Sequence, residues 1–275
     1  MSTTAPYNRI SLQDRDVSLI RMLAEDFRIL TREQIGELIP MGSTRRLNFR
    51  LKQLRDAGYL SCRRLEHMGA FSKSAYYLGP RAIEVFDNAT EQRLVATRRT
   101  QATQLAESGL AHRMLVDSIH IRFLTAAREY PNYKLVTWID QYSPSWEELQ
   151  KYSVPIQADG YGEYLMLLHF ENLYTFFLEV DRGTERGVTM QDKIDRYVRY
   201  AESGTHEKLF ATKLFRVLII TTRTHRVKGL LKLMETKQAN PFWVTTWDQF
   251  KQSKLLDAYW SRPHQNRACS LLSSS

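Results

Sequence analysis

Three carboxylates and one amine in the second half of the chain have the types and spacing for metal-assisted phosphodiester chemistry: Asp159, then Glu179 and Asp181, then Lys193. Residues two apart on a strand point the same way, so Glu179 and Asp181 share a face if their segment is extended. If a neighbouring strand pairs with it, Asp159 comes alongside. Clustered carboxylates with a nearby amine are what a Mg2+- or Mn2+-dependent nuclease uses to hold metal and activate water, with Asp159, Glu179 and Asp181 as ligands and Lys193 as the amine. The same residues have a plainer use. Asp at a strand end is ordinary turn chemistry, and Glu179 near Arg182 makes an ion pair.

A second constellation lies between positions 41 and 64, where Arg45, Arg46, Arg50, Lys52, Arg55, Arg63 and Arg64 face a single acid, Asp56. Arg45, Asn48 and Lys52 recur at helical spacing opposite the line Leu47, Leu51 and Leu54. An α-helix fits the major groove of DNA, where Arg and Lys reach guanine acceptors and Asn pairs with adenine, so these three are the base-reading candidates. Arg46, Arg50, Arg63, Arg64 and Lys73 are placed for phosphates on the helix flank and the following hairpin, and Arg55 completes the basic set. A basic helix face can also be merely solvated, or serve a protein partner.

The elements that must position these residues follow from caps and periodicity. Ser11 precedes a first helix with apolar residues from Leu12 to Ala24, Thr31 with Gln34 forms a capping box for a short second helix, and Ser43 caps a third that Gly58 stops. Two strand-like runs, Tyr59 to Leu65 and Ser72 to Leu78, then make a hairpin. Helices with a tight turn followed by a basic hairpin predict a winged helix-turn-helix over residues 1–80. Residues 81–104 read as a linker or exposed helix, and a long helix from about Leu105 to Pro131 carries Leu115, Ile119 and Phe123 on an apolar stripe, to pack on a sheet or form a dimer seam. Its His112 and His120 are eight residues apart, too far for one metal.

Strands are predicted at Tyr133–Ile139, Val154–Asp159, Tyr164–Phe170, Tyr174–Asp181, Leu214–Thr222 and Pro241–Trp247, with helices at Val188–Glu202 and Val227–Glu235. That order makes residues 105–260 an α/β domain with a mixed sheet, and leaves 261–275 as a disordered tail. The fold class is therefore a two-domain α+β or α/β protein.

The composition limits what such a chain can do. With 275 residues, 39 Lys+Arg against 30 Asp+Glu and a formal charge of +9, it is an ordinary globular composition favouring a polyanionic partner, nucleic acid before an anionic membrane. No apolar run marks a signal peptide or membrane span, which predicts a cytoplasmic protein. Cys62 and Cys269 lack the partners for a zinc site or disulfide framework. A Walker phosphate loop, a His-hydrophobe-His pair and a Gly-x-Ser-x-Gly elbow are all missing from the sequence, which argues against an ATP-driven motor, a metal-dependent tyrosine relaxase and a serine hydrolase.

Assembled in order, these residues resemble the replication-relaxation family of plasmid and integrative-element proteins. The likeness rests on Asp14-Arg15-Asp16, Leu30-Thr31 with Gln34-Ile35, Arg45-Arg46-Leu47 through Gly58-Tyr59-Leu60, the helix around His112, Ala158-Asp159, and the run Glu179 to Glu185 leading to Lys193 and Tyr197. It implies a winged helix and a role tied to the DNA of mobile elements, in replication control, relaxosome function or transcription. The C-terminal order is also similar to the PD-(D/E)XK nuclease fold, with departures: Ala158 replaces the proline before the aspartate, and Asp181 stands where that fold has its catalytic lysine. A carboxylate there removes the positive charge that would orient the attacking water, although Lys193 on the next helix is a candidate substitute. The leading expectation is a sequence-specific double-stranded-DNA-binding homodimer that needs no cofactor, since paired reading helices gain specificity from two half-sites. The runner-up is a Mg2+- or Mn2+-dependent endonuclease targeted by its winged helix.

Overall fold

The computed structural model describes residues 7–65, 74–140, 143, 158–167, 171–183, 187–210, 212–236 and 241–273. It is a mixed α+β protein of two compact units, Met1–Ile121 and Arg122–Ser275.

In the first unit the chain runs α1 (Asp14–Glu25), β1 (Leu30–Thr31), α2 (Arg32–Leu38), α3 (Thr44–Asp56), β2 (Leu60–Arg64), β3 (Ser74–Leu78), a 3-10 turn (Pro80–Val85), α4 (Ala89–Gln104) and the start of α5 (Glu107–Thr125). The strands form a three-stranded antiparallel sheet in the order β1-β3-β2, with Tyr76 of the central strand opposite both Leu30 and Cys62. Local chemistry sets the boundaries. The Thr31 hydroxyl accepts from the Gln34 N–H at 3.2 Å while the Gln34 carboxamide accepts from the Thr31 N–H at 2.8 Å, a reciprocal cap that starts α2. Gln34 then donates to the Met114 carbonyl and the Ser118 hydroxyl, both at 2.9 Å, so the buried amide is satisfied and holds α2 to α5. Gly58, at φ +79°, ends α3 in the left-handed conformation that other residues rarely adopt.

Two expectations change here. Ser11 does not cap α1; Gln13 is the cap residue, and Asp16 reaches back to accept its N–H at 2.7 Å because Asp16, not Asp14, occupies the third helical position. Residues 81–104, read as a linker or exposed helix, hold the helix: α4 packs within the first unit, burying Val95 and Ala102, and the Arg98 guanidinium donates to the Ala24 carbonyl at 3.0 Å.

The second unit holds β4 (Tyr133–Asp140), β5 (Gly160–Leu167), β6 (Glu171–Asp181), α6 (Gly187–Glu202), α7 (Thr205–Phe210), β7 (Arg216–Thr221), α8 (Arg226–Glu235), β8 (Phe242–Thr246) and α9 (Trp247–Gln252). Its five-stranded sheet has the order β4-β5-β6-β7-β8, with β4, β5 and β6 antiparallel and β7 and β8 parallel to β6. β7 is buried throughout, as its near-continuous apolar run requires of a central parallel strand. One core joins Phe177 and Ile219 of the sheet to Met190, Ile194 and Tyr197 of α6 and Leu230 and Met234 of α8. Another group of rings includes Phe123, stacked on Phe176 at 4.6 Å. Gly162 is required beside it, because a Cβ there would fall 2.4 Å from the Phe176 ring.

The strand expected at Val154–Asp159 differs: residues 154–157 lie outside the described residues, and Ala158 and Asp159 precede β5 rather than end a strand. The segment expected to be a disordered tail is packed through Ser273. Ser261 bridges to Val244, Cys269 to Trp260, Leu271 is fully buried, and the Tyr164 hydroxyl donates to its carbonyl at 3.0 Å. Its apolar residues are too sparse for periodicity, yet Pro263, Cys269 and Leu271 are buried. The apolar stripe of α5 also divides. Leu110 and Met114 join Ile29, Leu65 and Ala75 in the core of the first unit, whereas Phe123 packs on the sheet as expected. Among the described residues, no helix is long and apolar enough to cross a membrane.

Candidate functional site

Helix α3 has two faces of opposite character. Leu47, Leu51 and Leu54 are buried, while Arg45, Arg46, Asn48, Lys52 and Arg55 are exposed, so the apolar line seals the fold and leaves the polar face to solvent. Arg45, Asn48 and Lys52 share that face as their spacing requires. Phe49, which the sequence reading passed over, stands among them with 63% of its surface exposed. A cleft of about 400 Å3 borders Phe49, with Gln13, Arg15, Arg46 and Gln53 among its walls. Arg15, on the first turn of α1, is thus a further cation beside this face that periodicity alone did not single out.

The other basic residues are divided in use. Arg50, expected to meet phosphate, is turned inward. Its guanidinium pairs with both Asp16 oxygens, one at 3.0 Å, and donates to the Ser11 carbonyl at 2.8 Å and the Gln53 carboxamide at 3.0 Å. The hydrogen bond to Asp16 raises its pKa still further, and the fully buried Asp16 is thereby matched. Arg50 flanks the leucine line, one turn from both Leu47 and Leu54, which is why it leaves the solvent face. Arg63 donates to the Leu105 carbonyl at 2.9 Å, Arg55 is held by Asp56 at 3.0 Å, and Arg64 is exposed. Lys73 lies outside the described residues.

The carboxylates of the second unit come together only in part. β5 and β6 pair with Gly160 opposite Leu178, which brings Asp159 beside the end of β6; its side chain accepts from the Val180 N–H at 2.7 Å. Glu179 is buried, accepting from Lys193 at 2.9 Å and from the Tyr197 hydroxyl at 2.6 Å. Burial, and then the charge of Asp159, push the Glu179 carboxyl up from the usual carboxylate range to about 7. Asp181 belongs to another set: it accepts from the Gly183 N–H at 2.9 Å, the Thr221 hydroxyl at 2.9 Å and the Arg226 guanidinium at 2.7 Å. Among the described residues no three His, Cys, Asp or Glu side chains are grouped to hold a metal ion. Glu179 and Asp181, expected with Asp159 to bind Mg2+ or Mn2+, accept hydrogen bonds from different cations and hydroxyls. Lys193 was legible as a nearby amine, whereas the ion pair of Glu179 was expected with Arg182; Arg226 and Tyr197 were not legible as partners.

The model of the family described as Replication-relaxation matches residues 20–216, from α1 to the start of β7. The chain belongs to the replication-relaxation family. The match takes in the basic helix, the hairpin and the Glu179–Lys193 pair. No curated protein and no solved structure matches this replication-relaxation chain.

Proposed function

We propose that this replication-relaxation protein is a sequence-specific double-stranded-DNA-binding protein, acting as a homodimeric regulator or accessory factor in the replication, relaxation or transcription of a plasmid or other mobile element. The observation that carries the reading is α3: a helix sealed by leucines on one side that leaves Arg45, Asn48 and Lys52 exposed on the other. The order α1-β1-α2-α3-β2-β3 with its β1-β3-β2 sheet supports a winged helix-turn-helix, in which α3 enters the major groove. The order α5-β4-β5-β6-α6-α7-β7, an antiparallel meander followed after helices by a parallel strand, supports a PD-(D/E)XK-like second domain. With Asp181 in the lysine position and its oxygens engaged, that domain serves as scaffold, and its carboxylates form an ion network.

Selection from a randomised duplex library, followed by gel-shift titration at several salt concentrations, tests the reading. The Arg45→Ala, Asn48→Ala, Lys52→Ala triple variant should lose base preference, at about 1 to 3 kcal/mol for each bidentate contact, with stability changed by less than about 0.5 kcal/mol per site. Unchanged specific affinity in that variant would overturn it. The competing reading, a metal-dependent endonuclease, draws on the Lys193–Glu179 contact. Incubation of the protein with supercoiled plasmid and Mg2+ or Mn2+ separates the two; nicking that vanishes in the Glu179→Ala variant would establish the enzyme.

A further inference from the structure

Among the described residues, Phe49 is the most exposed aromatic ring. It lies one turn from Arg45 and one from Lys52, next to Asn48, with 63% of its surface in water, while the core-facing side of the same helix is filled by leucines. An apolar ring at the centre of an otherwise cationic and amide-bearing face needs a partner that is anionic around its edge and apolar at one point. Duplex DNA presents such a surface in its major groove: phosphates on both sides, and on the base edges a single apolar group, the 5-methyl of thymine. The remaining base edges are donors and acceptors that a phenyl ring would leave unsatisfied, at the cost of desolvating them.

We propose that Phe49 is a specificity-determining residue of this chain that packs on the 5-methyl group of a thymine in the major groove, between the bases met by Arg45 and Lys52. The inference rests on the DNA-binding reading and adds to it a named base and atom. The cleft alongside fits the geometry, since Arg15 and Arg46 on its walls supply cations for the adjoining backbone. A protein partner is the less suitable occupant. The nearest acid along the helix, Asp56, is already held by Arg55, so the face around Phe49 carries cations and amides and is complementary to a polyanion.

The test uses the full chain and a duplex enriched from a randomised library, resynthesised with deoxyuridine in place of each thymidine in turn, which deletes one methyl group at a time. Wild type should show one position in each half-site where the deletion weakens binding about threefold to fivefold. The Phe49→Ala protein should bind the two duplexes equally at that position while keeping the salt dependence of wild type; because the ring is exposed, its circular dichroism should be unaltered. Phe49→Leu should retain part of the discrimination. Methyl deletion that is silent at every thymidine, or discrimination that survives intact in Phe49→Ala, overturns the assignment while leaving DNA binding in place. Failure to enrich any duplex overturns both readings.

Discussion

The basic face of α3 and the carboxylates at the end of β6 are treated in opposite ways. On α3 most of the charges stand in solvent, and the exposed Arg55 is held by its neighbour Asp56. On β6 the charges are withdrawn from water and matched: Glu179 by Lys193 and Tyr197, Asp181 by Thr221 and Arg226. An exposed cation contributes almost nothing to folding and is available to a polyanion, whereas a buried carboxylate with its lone pairs spent contributes to the fold and has little left for a ligand. Position relative to water, more than residue type, separates a binding surface from a structural network.

Arg50 tests that division most severely, because it sits on the basic helix yet behaves like the β6 carboxylates. Asp16→Ala would leave its guanidinium buried without a counter-charge, and the expected loss is about 3 to 5 kcal/mol in denaturant unfolding, larger than for any exposed arginine of α3. Replacing both partners together, as Asp16→Leu with Arg50→Met, should recover much of that loss. A single substitution that proves neutral would move Arg50 back to the binding face.

Asp181→Ala comes next. Removing it strands the Thr221 hydroxyl and the Gly183 N–H, while the partly exposed Arg226 regains water, so about 2 to 3 kcal/mol of stability should be lost with DNA affinity unchanged. Lost affinity without lost stability would place the carboxylate in a site instead.

The remaining effect is a pH dependence. His206 lies in an aromatic pocket with Phe177, Phe210 and Phe215, and burial pushes its pKa down to about 4. The unfolded chain takes up that proton near pH 6.5 and the folded chain does not, so stability is lost as pH falls from about 6.5 towards 4, by at most about 3 kcal/mol. Glu179 acts with the opposite sign: its raised pKa contributes stability at low pH that is lost as pH rises through about 7. The difference in melting temperature between wild type and His206→Leu, followed from pH 7.5 to about 4, isolates the histidine. A difference that stays constant across that range would show that its burial carries no such cost.

Much of the local architecture was legible from residue types a turn or less apart. Thr31 with Gln34, Ser43 and Gly58 marked the boundaries of α2 and α3, and the leucine line marked the buried face of α3. These features are encoded within a few residues because caps, turns and amphipathic stripes are satisfied by near neighbours. What only the tertiary structure decided is which partner each charge meets. Arg50 is claimed by Asp16, 34 residues away, and Asp181 by Arg226, 45 residues away. The division between the two units falls within the sequence of α5, and residues 261–273 pack although no period announces them. A charge on a helix or strand has the same local signature whether it faces water or a distant counter-ion, and burial, set by residues far along the chain, chooses between those ends.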